Sequence, residues 1–201
     1  MNANPPSNPQ ILLVDDDRLV LSTLSRGLSG AGYRVSSAES VDDAEAILAG
    51  GERPDLVVLD VSMPVRSGLE LAERLHSFDH IPFMLLTAYS DSEIVEQATA
   101  CGALGYLVKP VDMPQLLPAI KAALARAGDI HSLQATGRQL QAALDSEREI
   151  SIAIGITMVQ YRLDRKAAFE LLRKTARNQN RKLAELAANV IGASETLNLG
   201  A

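Results

Sequence analysis

The sequence predicts an α/β fold: a five-stranded, doubly wound parallel sheet, followed by a smaller all-α region. Three observations carry this expectation. Short apolar runs recur through the first part of the 201-residue chain at intervals of about 22 to 27 residues. Segments with helical apolar spacing lie between them. After Gly128 the strand signal vanishes while the helical signal persists.

Taken in order, the apolar runs are Ile11–Val14, Tyr33–Val35, Leu56–Leu59, Phe83–Leu86 and Leu104–Val108. Their length and apolar character fit strands buried on both faces, as in a parallel sheet. Leu21, Leu24 and Leu28 share a helix face that Gly30 and Gly32 should stop. Val41, Ala44, Ile47 and Leu48 form a second stripe, ended by Gly50 and Gly51. Leu69, Leu71, Ala72 and Leu75 form a third. Ile94, Val95 and Ala98 begin a fourth, and Leu116, Leu117, Ile120 and Leu124 make a fifth. Strands alternating with helices in this way build a doubly wound domain.

Residues 129–150 are polar, with leucines at 133, 140 and 144, which suits a helix or a short coiled coil. Gly137 and Glu147 would occupy seam positions, so the heptad pattern is thin. Three helical stretches follow, over 148–161, 164–177 and 181–191, with Asp164 as an N-cap and Gly192 as a stop. The expected organisation is a disordered N-terminus over 1–8 and an α/β domain over 9–126. A helical linker over 127–147, a three-helix domain over 148–192 and a flexible tail over 193–201 complete it.

Charge divides the same way. The formal net charge is −6, yet residues 1–128 carry 9 basic and 17 acidic side chains, and residues 148–182 carry 9 basic and 3 acidic. An acidic domain and a basic one should have different partners. The single cysteine, Cys101, excludes a disulfide framework and a cysteine-rich zinc site, and reads as a small buried or half-buried residue. No apolar run approaches the roughly 18 residues that span a bilayer. The N-terminus lacks the basic and apolar regions of a signal peptide. The expectation is a soluble, cytoplasmic protein with no membrane partner.

In an open parallel sheet, ligands bind beyond the carboxyl ends of the strands. Those ends place Asp15, Asp16 and Asp17 after the first strand, Asp60 after the third, Thr87 after the fourth and Lys109-Pro110 after the fifth. Carboxylates crowded at one edge repel each other unless a cation neutralises them. Oxygen donors, with no His or Cys nearby in sequence, select a hard cation such as Mg²⁺. A hydroxyl and an ammonium beside it supply donors to an anion, so the set suits a phosphoryl group on a carboxylate. Asp17 has a second reading, as the cap of a helix starting at Arg18. His76, His80 and His131 lack ligand spacing and read as surface residues.

Val14-Asp15-Asp16, Asp60-Val-Ser-Met63-Pro64 with Gly68, Thr87-Ala88 and Lys109-Pro110 together resemble the receiver domain of two-component response regulators, a flavodoxin-like fold. The resemblance implies that Asp60 is the phospho-acceptor, supplied by a sensor histidine kinase. It implies Mg²⁺ held by Asp15, Asp16, Asp60 and the Ser62 backbone carbonyl. Lys109 and Thr87 would contact the phosphoryl oxygens, and Tyr106 would move with Thr87 as a switch; core packing is the other reading of Tyr106. Tyr89, two residues after Thr87, would shield the acyl phosphate from water. Such a protein is a switch, not a turnover enzyme.

The C-terminal stretch resembles the ANTAR domain, an RNA-binding module of transcription antitermination regulators. The matching residues are Ala153-Ile-Gly155-Ile-Thr-Met158, Ala168-Phe169 with Leu172-Arg173, and Asn180-Arg181-Lys182-Leu183 with Ala187. Phe169 is the expected hydrophobic centre. Arg162, Lys166, Arg173, Arg177, Asn180, Arg181 and Lys182 are the candidate RNA contacts, because guanidinium groups follow phosphates and stack on splayed bases. The resemblance implies binding to stem-loops in nascent transcripts and antitermination. A homodimer on phosphorylation is expected as well, because pairing two modules lets the second hairpin contact gain from effective concentration. The rival readings are a receiver-controlled DNA-binding transcription factor, or a protein-interaction output.

Overall fold

The structure of the protein is a computed structural model that describes residues 8–88 and 100–198. Five strands form one parallel sheet: β1 (Gln10–Val14), β2 (Arg34–Ala38), β3 (Leu56–Asp60), β4 (Phe83–Thr87) and β5 (Tyr106–Val108), in the order β2-β1-β3-β4-β5. The expected second and fifth strands are shifted: β2 starts one residue later and runs on to Ala38, and β5 is only three residues long. β1, β3 and β4 are buried on both faces as expected, whereas β2 and β5 are sheet edges and are not. An edge strand has a neighbour on one side only, so its sequence can be partly polar. That is why Ser36 and Ser37 do not read as strand.

Alternation along the central strands sorts the core into two layers. Leu12, Val14, Val57, Leu59, Phe83 and Leu85 pack with α2 (Val41–Ala49) and α3 (Gly68–Arg74). Ile11, Leu13, Leu56, Val58, Met84 and Leu86 pack on the other face with α1 (Arg18–Gly30) and the first turns of α4 (Met113–Tyr161). Neighbouring positions on a strand point to opposite faces, so both faces of this sheet are covered. Asp17 caps α1, accepting from the Leu19 and Val20 N–H groups. The glycine stops work as predicted: Gly32 and Gly51 have φ of +94° and +97° just past α1 and α2. α3 continues into a π turn over Leu75–Asp79. The expected helix starting at Ile94, and Tyr89, lie outside the described residues.

Two expectations about helix ends fail. The fifth predicted helix, the linker and the first helix of the C-terminal domain are one continuous helix, α4, with Pro118 inside it. Gly192 does not stop the last helix: α6 runs Leu183–Asn198, so the described part of the expected flexible tail is helical. A glycine inside a helix costs only about 1 kcal/mol relative to alanine. Without a following proline to enforce the break, Gly128, Gly137 and Gly192 are passed through.

The chain divides into two compact units between Ser132 and Leu133. The second unit comprises the rest of α4, α5 (Arg165–Asn178) and α6 around Ala153, Ile154, Ala168, Leu172, Ala176, Leu186 and Ala187. Phe169 is only partly buried; the centre is built of four alanines with Ile154, Leu172 and Leu186, and the alanines let the helices approach closely. Both turns in this unit use a left-handed residue other than glycine. Arg162 (φ +52°) follows α4 and Asn180 (φ +51°) follows α5. In each, the next N–H closes back on the helix, Leu163 to the Met158 carbonyl and Arg181 to the Ala176 carbonyl. No helix among the described residues is long and apolar enough to cross a membrane.

Candidate functional site

β1 and β3 are neighbours in the sheet, with Val14 opposite Leu59, so the residues that end them come side by side. Asp15 and Asp60 are 1% and 2% exposed. One oxygen of each is tied to the local backbone: Asp15 Oδ1 accepts from the Asp17 N–H at 3.0 Å, and Asp60 Oδ1 from the Ser62 N–H at 3.1 Å. The other oxygens face Lys109, which follows β5 and reaches past β4. Its ammonium lies 2.6 Å from Asp15 Oδ2 and 2.8 Å from Asp60 Oδ2. The Asp60 contact is an aligned hydrogen bond, whereas the Asp15 contact is an ion pair that leaves the buried Oδ2 without one. Thr87, at the end of β4, is also buried, and the Lys109-Pro110 bond is cis.

The charges perturb one another in opposite senses. Burial raises the Asp15 pKa above the usual carboxylate value; Lys109 and the Asp17 N–H oppose this, and the Asp60 charge adds to it. Burial disfavours the Lys109 ammonium, but the two carboxylates outweigh that and its pKa ends above the ordinary lysine value. One lysine therefore serves two carboxylates that would otherwise repel each other.

Asp16 is exposed, yet a carboxylate oxygen from each of Asp15, Asp16 and Asp60 falls within a 4.8 Å cluster. One carboxylate oxygen from each of these three residues makes a set of hard oxygen donors, which fits a hard divalent cation. The structure thus brings together Asp15, Asp16, Asp60 and Lys109, with Ser62 on the adjoining loop. Tyr106 is 44% exposed, on the same face of β5 as Val108, which overturns the core reading of that residue.

The basic residues of the second unit are exposed. Lys166, Arg173 and Arg177 are seven and eleven positions apart along α5, so at about 100° per residue they fall on one stripe. Ala168, Leu172 and Ala176 form the buried face of the same helix. Arg162 lies in the turn before α5, and Asn180, Arg181 and Lys182 in the turn after it. Arg181 is already engaged: it lies 3.9 Å from Glu185, and both its terminal nitrogens donate to the Asn189 amide oxygen, at 2.7 and 2.8 Å with that amide correctly oriented. Arg173 sits 3.6 Å from Glu170. Sequence reasoning missed the Arg181–Asn189 pair, for which two polar residues eight positions apart give no distinctive signal. Thr157, in the first C-terminal motif, is buried and donates to the Ala153 carbonyl at 2.8 Å within α4.

Known proteins agree with this division. Residues 11–121 match the response regulator receiver domain family, and residues 138–191 match the ANTAR domain family. The transcriptional regulatory protein PdtaR of Mycobacterium tuberculosis is 32% identical over 187 residues, covering 91% of each chain. The transcriptional regulatory protein PrrA of Mycobacterium leprae is 41% identical over 124 residues, 61% of this chain and 52% of its own length. Among solved structures, the chemotaxis protein CheY4 of Vibrio cholerae matches with a TM-score of 0.54 at 33% identity, over 58% of this chain and 98% of its own. A CheY-like receiver protein of Methanospirillum hungatei matches with a TM-score of 0.57 at 30% identity, over 61% and 98%. The two family matches and the full-length similarity to PdtaR, in agreement with the sheet order, the acidic edge with its lysine and the helical second unit, place this chain among the response regulators, with a receiver domain followed by an ANTAR domain.

Proposed function

We propose that phosphorylation of Asp60 controls binding of RNA stem-loops by the second unit, and that the bound protein promotes antitermination of the transcript. The observation that carries the first half is the shared Lys109 ammonium, 2.6 and 2.8 Å from two buried carboxylates. An Asp60 oxygen attacks the donor's phosphorus, the bond from phosphorus to the kinase histidine breaks, and the imidazole leaves with that electron pair. Lys109 moves its donors toward the new phosphoryl oxygens as Asp60 loses its charge, and Thr87 adds a hydroxyl. Asp15, Asp16, Asp60 and the Ser62 carbonyl would hold Mg²⁺, which supplies charge neutralisation for the transferred group. The arrangement serves a signalling step rather than turnover.

The second half rests on the exposed stripe of Lys166, Arg173 and Arg177 with Arg162, Asn180 and Lys182 in the flanking turns. Arg181, held against α6, contributes as a fixed charge. Pairing two copies on phosphorylation would let one dimer hold two hairpins of one transcript, the second contact gaining from effective concentration. Duplex DNA binding draws on one observation, the four-residue turn between α5 and α6, which a helix-turn-helix also uses. The test is titration of stem-loop RNA and duplex DNA at equal salt, with and without a phosphoryl mimic, alongside sedimentation. Tighter binding of a two-hairpin RNA by a phosphorylated dimer is expected. A phosphorylated monomer that treats one-hairpin and two-hairpin RNA alike would overturn the coupling, and preference for duplex DNA would overturn the RNA reading.

A further inference from the structure

The loop joining β3 to α3 carries Ser62, and it is held in an unfavourable shape. Val65 has φ +71°, and the Arg66 N–H donates to the Pro64 carbonyl at 2.9 Å. A hydrogen bond that skips one residue of positive φ is the rare, strained form of γ-turn. Valine suits it badly, because branching at Cβ makes left-handed backbone an outlier. Its side chain is fully exposed, so packing does not compensate.

The next residue holds the turn. The Arg66 guanidinium donates to Asp42 at 2.8 Å, to both oxygens of Glu45 at 3.0 and 3.3 Å, and to Glu70 at 3.1 Å. Asp42 and Glu45 belong to α2 and Glu70 to α3, so one side chain ties the loop to two helices. Glu45 is also paired with Arg74 at 3.1 Å. A single exposed ion pair does little, but a forked contact within a network has defined geometry. Just downstream, the Ser67 hydroxyl and the Gly68 N–H both donate to the Val61 carbonyl at 3.2 Å. A Cβ at Gly68 would overlap the Asp60 carbonyl, so the loop lies directly on the backbone of Asp60.

We propose that Arg66 is a positioning residue: its ion pairs to Asp42, Glu45 and Glu70 keep the Val65 turn closed and so set the Asp60–Ser62 segment for cation and phosphoryl group. This rests on Asp60 being the acceptor. The test uses the full chain and three readouts: Mg²⁺ affinity by calorimetry, amide exchange of residues 61–68, and phosphorylation from acetyl phosphate. Arg66→Ala should weaken Mg²⁺ binding about tenfold, the scale of losing a supporting partner, and speed exchange in 61–68. Adding Val65→Gly should remove the strain and restore affinity to within about threefold of wild type, a strong non-additivity between adjacent sites. Arg66→Lys, which keeps the charge but not the fork, should fall between. Glu45→Gln gives a milder loss in the same direction and serves if Arg66→Ala does not fold. Wild-type Mg²⁺ affinity and exchange in Arg66→Ala, or no recovery in the double variant, would overturn the proposal. A wild-type protein that binds no Mg²⁺ would instead strike the acceptor reading, and the exchange of 61–68 would still decide the role of Arg66.

Discussion

At the carboxyl edge of the sheet, charge is buried and shared: Asp15 and Asp60 lie almost wholly inside, and one lysine bridges both. On α5 the reverse holds, with Lys166, Arg173 and Arg177 in solvent and Glu170 a weak i,i+3 partner of Arg173. The first arrangement is expensive to assemble, because each buried carboxylate must be desolvated and then compensated. The second costs the fold almost nothing, so those cations can serve a polyanion. Buried charge therefore localises a function to named atoms, while exposed charge defines a surface whose members are individually replaceable.

Substitutions can break this contrast, beginning with the largest expected effect. Asp60→Asn should abolish retention of labelled phosphoryl from a small donor, whereas Asp16→Ala, at the exposed carboxylate of the cluster, should only weaken Mg²⁺ binding and slow the reaction. Retained label at the wild-type level in Asp60→Asn would move the acceptor elsewhere.

Lys109→Ala leaves two buried carboxylates facing each other. In metal-free buffer it should lower the unfolding free energy of the receiver by about 3 kcal/mol. Urea titrations repeated with Mg²⁺ should show part of that loss recovered. A substitution that is neutral in both buffers would mean the carboxylates are not electrostatically dependent on Lys109.

On the exposed side, Arg173→Glu combined with Arg177→Glu should leave folding nearly unchanged and weaken RNA binding. The slope of log affinity against log salt should flatten by about 0.7 for each single-strand phosphate that the variant no longer neutralises. An unchanged slope would place the RNA on another face.

The smallest effect sharpens the intermediate case, the partly exposed network around Glu45. Hydrogen bonds from Arg66, helped by Arg74 and opposed by burial, hold the Glu45 carboxyl below its ordinary value of 4.5. A depressed carboxylate adds stability above its unfolded pKa and loses it as the pH falls through the folded pKa. Wild type should therefore exceed Glu45→Gln by less than about 1 kcal/mol at neutral pH, and the gap should shrink as the pH falls below the ordinary value of 4.5. A gap that widens in acid would reverse the assigned direction.

Most of the receiver was legible because its signals are local or periodic. Wholly apolar runs mark β1, β3 and β4, and the residues just after each strand fall at the ligand-binding edge by topology alone. The cap at Asp17 and the glycine stops at Gly32 and Gly51 were legible for the same reason. β2 was less so, because an edge strand tolerates serine. Phe169 misleads because a large side chain suggests a centre, whereas this core is built of alanines with Ile154, Leu172 and Leu186, and Phe169 packs at its margin.

By itself, then, the sequence determined the alternation of strand and helix, the gathering of Asp60 with its acidic neighbours at one sheet edge, and the split into an acidic and a basic part. Those follow from spacing along the chain, where strand ends and helix faces are set by local pattern. Only the tertiary structure decided that Lys109 bridges Asp15 and Asp60, that Arg66 ties the Val65 turn to α2, and that Arg181 is spent on Asn189. It also decided that α4 runs unbroken through Gly128 and Gly137. Long-range polar pairs depend on which elements the fold brings together, and a helical glycine's penalty of about 1 kcal/mol is small enough for context to override.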